Sequence, residues 1–541
     1  MACDGRCRIT TNSDFKTSTT RQRVAGVSEN NHSLARRAGF EMVGTAVMDG
    51  ETNSTLATFE LTKGLAPTSA PRELFADLFE DLSDETRSLL ADPQVATLGV
   101  KTDGSAATNA PKAPQSLKDS GLSRIQVCDL ILKQIYLHGH LLGVDIAKNA
   151  RLPYNLIDES LRFLKDEKCI EVTSGDFLGR ASYRFSLTEL GRTRAREAFE
   201  QCRYVGPAPV SLESYVAQCR LQAVAGIKCD AERLMEAFHG MVIGPELLDE
   251  VGPAVCSGRS IFIYGPPGNG KSTVARGLGR FLNRYSGDIY VPYAITTENS
   301  IITIFDPTLH IVTDNHDSEN SNGRETTSGD QRQRLEATVD LRWRRVKRPV
   351  VITGGELTLD QLELRFNKVS NFYQAPVQLK ANGGVFLIDD FGRQIVSPKE
   401  LLNRWIVPLE ERIDYLTLNT GKKFSVPFEL LIIFSTNLDP HELVDEAFLR
   451  RIRHKIRIGA PSPEMYSQIF QLACEQRKVP FDERAVQYLF ANHYAHGRTP
   501  RSSDPRDLLE IAQSICRFRN QRFVLSQKLL EEATSRFFCE V

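Results

Sequence analysis

An α/β fold built on a parallel sheet is predicted for the C-terminal part of this 541-residue chain, on three observations. From about residue 230, apolar strands, glycine turns and amphipathic helices alternate. One strand–loop–helix unit carries the pattern G-x-x-x-x-G-K-S at Gly265, Gly270, Lys271 and Ser272. A later apolar run, Gly384-Val-Phe-Leu-Ile, ends in the acid pair Asp389-Asp390.

The first unit reads as a phosphate-binding loop because both flanks are right. Ile261 to Tyr264 form the strand before it, and residues 272–285 form a helix-compatible run after it. Glycines let a backbone turn its amides inward around an anion, and the new helix points its positive end at the same place. The expected cradle is Gly265, Pro266, Pro267, Gly268, Asn269, Gly270, Lys271, Ser272 and Thr273. Lys271 reaches the β and γ phosphates of a nucleoside triphosphate, and Ser272 holds Mg²⁺. Asp389 is the acid on the metal side, and Asp390 is the base that polarises the attacking water.

Bulk composition excludes little. Lys plus Arg (67) nearly cancels Asp plus Glu (68), so net charge favours neither a nucleic acid nor a membrane surface. No run of ~18 uncharged apolar residues is present, so no membrane span is expected. The start of the chain has no apolar signal core. Eleven cysteines are scattered without C-x-x-C pairs, which reads as reduced thiols in a cytoplasmic protein.

Residues 1–118 are rich in Ser, Thr, Asn, Gly and Ala and are expected to be a largely disordered arm. Within them, Leu74 to Leu90 has helical spacing and an acidic composition, as a docking motif or a loosely attached helix would. Residues 119–203 carry three helices, a two-stranded ribbon and a closing helix. Ile125, Cys128, Leu132 and Ile135 mark the buried face of the first helix, and Pro153 opens the third. This order resembles a winged-helix domain. Residues 204–229 form a connector with one more helix, and the polar stretch 313–334 is a flexible insertion.

From the phosphate loop onward the motifs resemble those of the AAA+ ATPases, in that family's order. The strand Leu430 to Ser435 leads to Asn437, at the place of the polar sensor between the acids and the γ-phosphate. The following helix ends in Arg450 and Arg451, where the family's arginine fingers lie, with Arg453 a third candidate. Arg506, in Asp504-Pro-Arg, resembles the lid's phosphate sensor. Val242 and Ile243 resemble the segment packed on adenine. Two departures stand out: the second acid is Asp where many relatives carry Glu, and about 110 residues separate the two phosphate-site strands.

The resemblance covers residues 228–541. It implies a P-loop NTPase core of five parallel strands over 230–459 and a helical lid over 460–541. It also implies ATP and Mg²⁺ as cofactors, and self-association into a ring, with a hexamer expected. Phe372 and Tyr373 are the candidate pore-loop grip. A protein substrate or adaptor would be recruited by the N-terminal domains. DNA is the alternative partner, but the third helix sets Asp158, Glu159, Asp166 and Glu167 against Arg162, Lys165 and Lys168, a poor recognition surface for phosphates.

Overall fold

The computed structural model describes residues 7–10, 40–48, 55–63, 110–174, 180–313, 339–443, 446–495 and 497–538. The chain divides into two compact units, Met1–Lys101 and Thr102–Val541. In the first, three strands (Cys7–Thr10, Phe40–Met48 and Thr55–Lys63) pair antiparallel, with Thr55–Lys63 in the centre. Within the stretch that the sequence assigns to a largely disordered arm, Phe40–Met48 and Thr55–Lys63 are in register over their whole length, from Phe40–Lys63 to Met48–Thr55. The acidic segment Leu74 to Leu90 lies outside the described residues.

The second unit holds the parallel sheet. Its five strands are β1 (Ile261–Tyr264), β2 (Val350–Thr353), β3 (Val385–Ile388), β4 (Leu431–Thr436) and β5 (His454–Arg457), in spatial order β2-β3-β4-β1-β5. Strict alternation explains why this sheet is buried on both faces. Ile261, Ile263, Val385, Leu387, Leu431 and Ile433 enter one apolar layer. Phe262, Phe386, Ile388, Ile432 and Phe434 enter the other. Side chains of a strand point to opposite faces with period two, so near-continuous apolar runs are what a doubly covered parallel strand needs. The first layer packs against α1 (Lys271–Tyr285) and Pro245–Ser257, and the second against Pro398–Arg404 and Glu446–Leu449.

Residues 124–201 fold as helices Arg124–His138, Gly143–Ala150, Tyr154–Asp166 and Glu189–Gln201 around one core. The expected two-stranded ribbon has a third member, His140–Leu142, giving an antiparallel sheet with Arg184–Leu187 in the centre. The buried face of the first helix also differs. Ile125 is 71% exposed, while Val127, Cys128, Leu130, Ile131, Leu132 and Ile135 are buried. Helices and the sheet pack around that helix, so its covered surface is wide, and its first and last turns stay outside, with Leu137 also exposed. Pro153 caps the third helix as expected.

The long stretch between the phosphate-site strands builds a β-rich layer. Strands Arg365–Asn367, Phe372–Gln374, Ser300–Thr303, Ala294–Thr297 and Val210–Ser211 form one sheet, so the connector contributes its edge strand. Phe372 and Tyr373 are therefore not in a free loop. Tyr373 is buried and its hydroxyl accepts from the Asn419 amide, and Phe372 packs edge-on against Tyr204. The pore-loop expectation is corrected accordingly, because both residues lie in a paired strand and Tyr373 belongs to an apolar core. Of the polar insertion 313–334, only Thr313 falls among the described residues. The hairpin Ile413–Thr417 and Lys423–Pro427 precedes β4.

Arg342 fastens these parts together. It is buried, pairs bidentately with buried Asp340 (Nη2 to Oδ2 2.8 Å), and donates to the carbonyls of Ser120 (2.8 Å) and Pro209 (3.0 Å). Arg342→Ala strands a buried carboxylate and two carbonyls. The expected loss is about 3–5 kcal/mol, read from the denaturant midpoint of the full chain. A loss below ~1 kcal/mol, the value of an exposed pair, would contradict this role.

Candidate phosphate site

The C-terminal ends of β1, β3 and β4 meet at one edge of the sheet. Their register sets Ile388 opposite Phe434, and Phe434 opposite Phe262. The loop after β1, the acid pair after β3 and Asn437 after β4 are thereby neighbours. The loop's shape depends on glycine: Gly265, Gly268 and Gly270 have φ of +139°, +81° and +87°. A Cβ on Gly268 would also lie 2.7 Å from Ser503 Oγ. That conformation opens the loop backbone and lets the lid approach it.

Lys271 starts α1 and is buried. Its Nζ donates to Gly265 O (2.9 Å), Pro266 O (3.0 Å) and Asn437 Oδ1 (2.6 Å). Burial pushes the ammonium below the usual lysine range, while Asp389 and Asp390 pull it back. Ser272 Oγ donates to Asp389 Oδ2 (2.6 Å), and Ser435 Oγ donates to Asp389 Oδ1 (2.8 Å). Asn437 Nδ2 donates to Asp390 Oδ1 (2.9 Å). Thus Asn437 bridges the loop lysine and the second acid. Asp390 sits at φ +50°, a conformation that Asp tolerates better than most residues. Asn269 is buried, and its Nδ2 has no partner among the described residues, although its Oδ1 accepts from the Ser502 amide (3.2 Å). Thr273, Pro266 and Pro267 are exposed or half-buried on the loop and first turn.

Val242 and Ile243 are half-buried in the segment before Pro245–Ser257, and Ile243 packs on the core layer that contains α1. Gly277 of α1 makes room for this segment: a Cβ there would fall 2.0 Å from the Phe238 ring. A Cβ on Gly244 would meet Met465 Sδ of the first lid helix at 3.7 Å.

The C-terminal helices, at the place expected for the lid, are Pro463–Gln476, Glu483–Leu489 with a π-turn at Phe490–Tyr494, Asp504–Phe518 and Gln527–Phe537. Their contact with the loop is made by residues 501–503. The Ser503 amide donates to Gly268 O (2.9 Å), and Arg501 Cβ and Cδ lie 3.5 Å from the point a Cβ on Gly268 would occupy. Arg506 faces elsewhere: its side chain is 66% exposed and its guanidinium is engaged by Asp507 at 3.0 Å. The arginine that packs beside the loop is Arg501, in Thr499-Pro-Arg, while the Arg506 that the sequence pattern favours is turned toward Asp507. Helical phase explains the difference, since Arg506 lies in the first turn of a helix whose buried residues include Asp504, Pro505, Leu508 and Leu509.

The two candidate fingers also part. Arg450 is 79% exposed, with Glu446 3.9 Å away. Arg451 is held by Glu410 of its own chain at 2.7 Å and is largely covered. Arg453 is exposed at the start of β5. Sequence reasoning missed Ser435 and Arg501. The signals were the polar Ser-Thr-Asn run ending an apolar strand, and a second Pro-Arg pair upstream of the lid helix.

Among the described residues, no group of three or more His, Cys, Asp or Glu is arranged to hold a metal. No described helix is long and apolar enough to cross a membrane.

Comparison with known proteins is informative over the lid. Residues 462–536 match a family described as a domain of unknown function (DUF8689). No curated protein matches the chain. Among solved structures, NtrX from Brucella abortus in complex with ADP is similar at 14% identity and a TM-score of 0.32, over 55% of this chain and 56% of that one. A point mutant of RuvB from Thermotoga maritima is similar at 12% identity and 0.28, over 57% and 71%. Domain III of the Thermotoga maritima replication initiation protein DnaA is similar at 14% identity and 0.30, over 57% and 98%. The chain thus spans about half the length of NtrX.

Proposed function

We propose that the chain is a Mg²⁺-dependent ATP hydrolase of the AAA+ type that works as an oligomeric protein-remodelling motor. The observation that carries this reading is the convergence of Lys271, Ser272, Asp389, Asp390 and Asn437 at one edge of a parallel sheet. Such edges are where ligands bind in open α/β sheets. The residues present fit the ligand: a glycine cradle and a buried ammonium suit phosphate oxygens, and the buried Asn269 Nδ2 of the same loop has no partner among the described residues. Ser272 and Asp389 offer the hard oxygen donors that Mg²⁺ takes, and the ion would neutralise charge on the phosphates.

The chain's own groups then divide the work. Lys271 exchanges its carbonyl contacts for phosphate oxygens. Asn437 holds Asp390 Oδ1, which leaves Oδ2 to accept a proton from water. Asp is one methylene shorter than Glu, so the water must approach closely, and slow turnover is expected. Arg501 approaches the phosphates from the lid, and Val242 and Ile243 line the base side. Arg450 is the finger that reaches a neighbouring subunit's nucleotide in a hexameric ring, because its exposed position lets it serve another copy.

Protein docking is favoured over DNA by the charges of the winged-helix-like unit. Several of its arginines are ion-paired in place: Arg124 with Glu159 (2.6 Å), Arg162 with Asp158 (3.0 Å) and Arg194 with Glu167 (3.6 Å). A DNA-binding face needs cations free to displace counterions from phosphates. Transcription regulation or DNA remodelling remains the competing reading.

Three outcomes test this. Lys271→Ala should weaken ATP binding by at least about tenfold, as loss of a charged hydrogen bond does, and calorimetric titration showing wild-type affinity would refute the assignment. Mixing Arg450→Ala with Lys271→Ala subunits should restore part of the ATPase rate that neither variant has alone; no recovery would remove Arg450 as a finger in trans. Unfolded protein should stimulate the wild-type ATPase while duplex DNA does not. A DNA-stimulated rate that falls steeply with salt would instead favour the DNA reading.

A further inference from the structure

The lid contains a buried polar chain that the phosphate chemistry does not use. Tyr494 Oη donates to Asp504 Oδ2 at 2.7 Å. Tyr494 has then used its proton, so Tyr466 is the donor in the 2.9 Å contact between the two hydroxyls. Asp504 Oδ2 also accepts the Arg501 amide at 3.0 Å. Tyr466 and Asp504 are at most 3% exposed and Tyr494 is 8% exposed.

These three residues come from three different elements: the first lid helix, the π-turn and the start of the third helix. Single π-turns are rare and recur at functional sites; here the π-turn presents the Tyr494 hydroxyl between the two neighbouring elements. Each end of the chain adjoins the nucleotide cleft. Met465, next to Tyr466, lies against Gly244 on the expected base side. Arg501 and Ser503, just before Asp504, lie against Gly268 of the phosphate loop. An apolar lid core would be the cheaper way to hold these helices. A buried carboxylate must be compensated by hydrogen bonds or it destabilises the fold, so a network of this kind is tied to one geometry.

We propose that the Tyr466–Tyr494–Asp504 relay is a positioning device that holds Arg501 over the phosphate loop, and that it gives this lid its preference for a triphosphate over a diphosphate. The inference rests on the ATP-site reading and deepens it. It also assigns a task to the segment matched by the domain of unknown function. Asp504 fixes the backbone of Arg501, the two tyrosines fix Asp504, and the residue that carries the guanidinium is thereby kept beside Gly268 of the loop. None of the three needs to touch nucleotide.

The test is a double-mutant cycle on the full chain, with ATP and ADP affinities measured by calorimetry. Tyr494→Phe and Arg501→Ala should each weaken ATP binding roughly tenfold, with a smaller effect on ADP. The double variant should be no weaker than the weaker single one, since both act through one group. Additive losses would overturn the relay. So would a fall in melting temperature for Tyr494→Phe with an unchanged ATP-to-ADP affinity ratio, which is the mark of a merely structural role. If Tyr494→Phe does not fold, Tyr466→Phe, which keeps the bond to Asp504, enters the same cycle. Lys271→Ala separates the two layers of argument. If it abolishes ATP binding while Arg501→Ala and Tyr494→Phe leave the ratio untouched, the relay fails and the ATP reading stands. If it leaves ATP binding intact, both fail.

Discussion

The Lys271 ammonium, buried at the edge of a parallel sheet and held by three oxygens, is the constraint on which the candidate phosphate site depends. A buried charge is tolerated only when it is paired or hydrogen-bonded. Two of the three oxygens are carbonyls of the loop itself, so the loop can hold the lysine only in its glycine-dependent shape. The third belongs to Asn437, which is placed by the register of β4 against β1 and β3. A one-residue slip of β4 would turn Ser435 and Asn437 away together and leave the lysine and both acids without these partners. What opposes that slip is the difference between the two layers, since Ile261, Ile263, Leu387 and Ile433 enter one and Phe262, Phe386 and Phe434 the other, and a slip of β4 would place Phe434 where an aliphatic side chain fits. Core packing and site chemistry are in this sense the same constraint, expressed on successive residues of one strand.

Much of this was legible in the sequence because its signals are local. The phosphate loop, the acid pair and Asn437 each follow a short apolar strand, and the strand pattern predicts where the chain ends its run and exposes a polar group. What was not legible depends on packing between distant segments. Arg501 and Arg506 both follow proline, and nothing in the local pattern distinguishes them; the docking of residues 501–503 on Gly268 does. Ser435 reads as a buried strand residue until Asp389 is seen beside it. Phe372 and Tyr373 read as loop aromatics because their strand is only three residues long and pairs with Ser300–Thr303, about seventy residues away in sequence. His140–Leu142 is equally short, and its pairing with Arg184–Leu187 carries no periodic signal of its own.

The long insertion that sets this chain apart is not a surface ornament. Its strands join the connector at Val210–Ser211. Its loop before Phe372 receives the end of the closing helix, with Asn371 Nδ2 donating to Glu200 O (2.7 Å) and the Arg203 amide donating to Ser370 O (2.8 Å). Gln126 reaches Thr296 from the first helix of the N-terminal helical unit (3.2 Å). That unit is therefore fixed to the insertion along several sides, and Arg342 closes the joint from within.

Arg348 carries the same joint toward the phosphate site. It is buried between β-layer and core, and its Nη1 donates to Gln222 O (2.9 Å) and Gly383 O (2.6 Å). Burial pushes its guanidinium down to about 10, with Asp288 acting in the opposite direction. Gly383 lies two residues before β3, the strand that ends at Asp389 and Asp390. The connector helix, the insertion and the acid strand thus share one buried cation whose hydrogen bonds are all to backbone oxygens at these points. A displacement of the N-terminal unit cannot be absorbed by a loose linker there, because the linker's last helix is itself bonded to that cation.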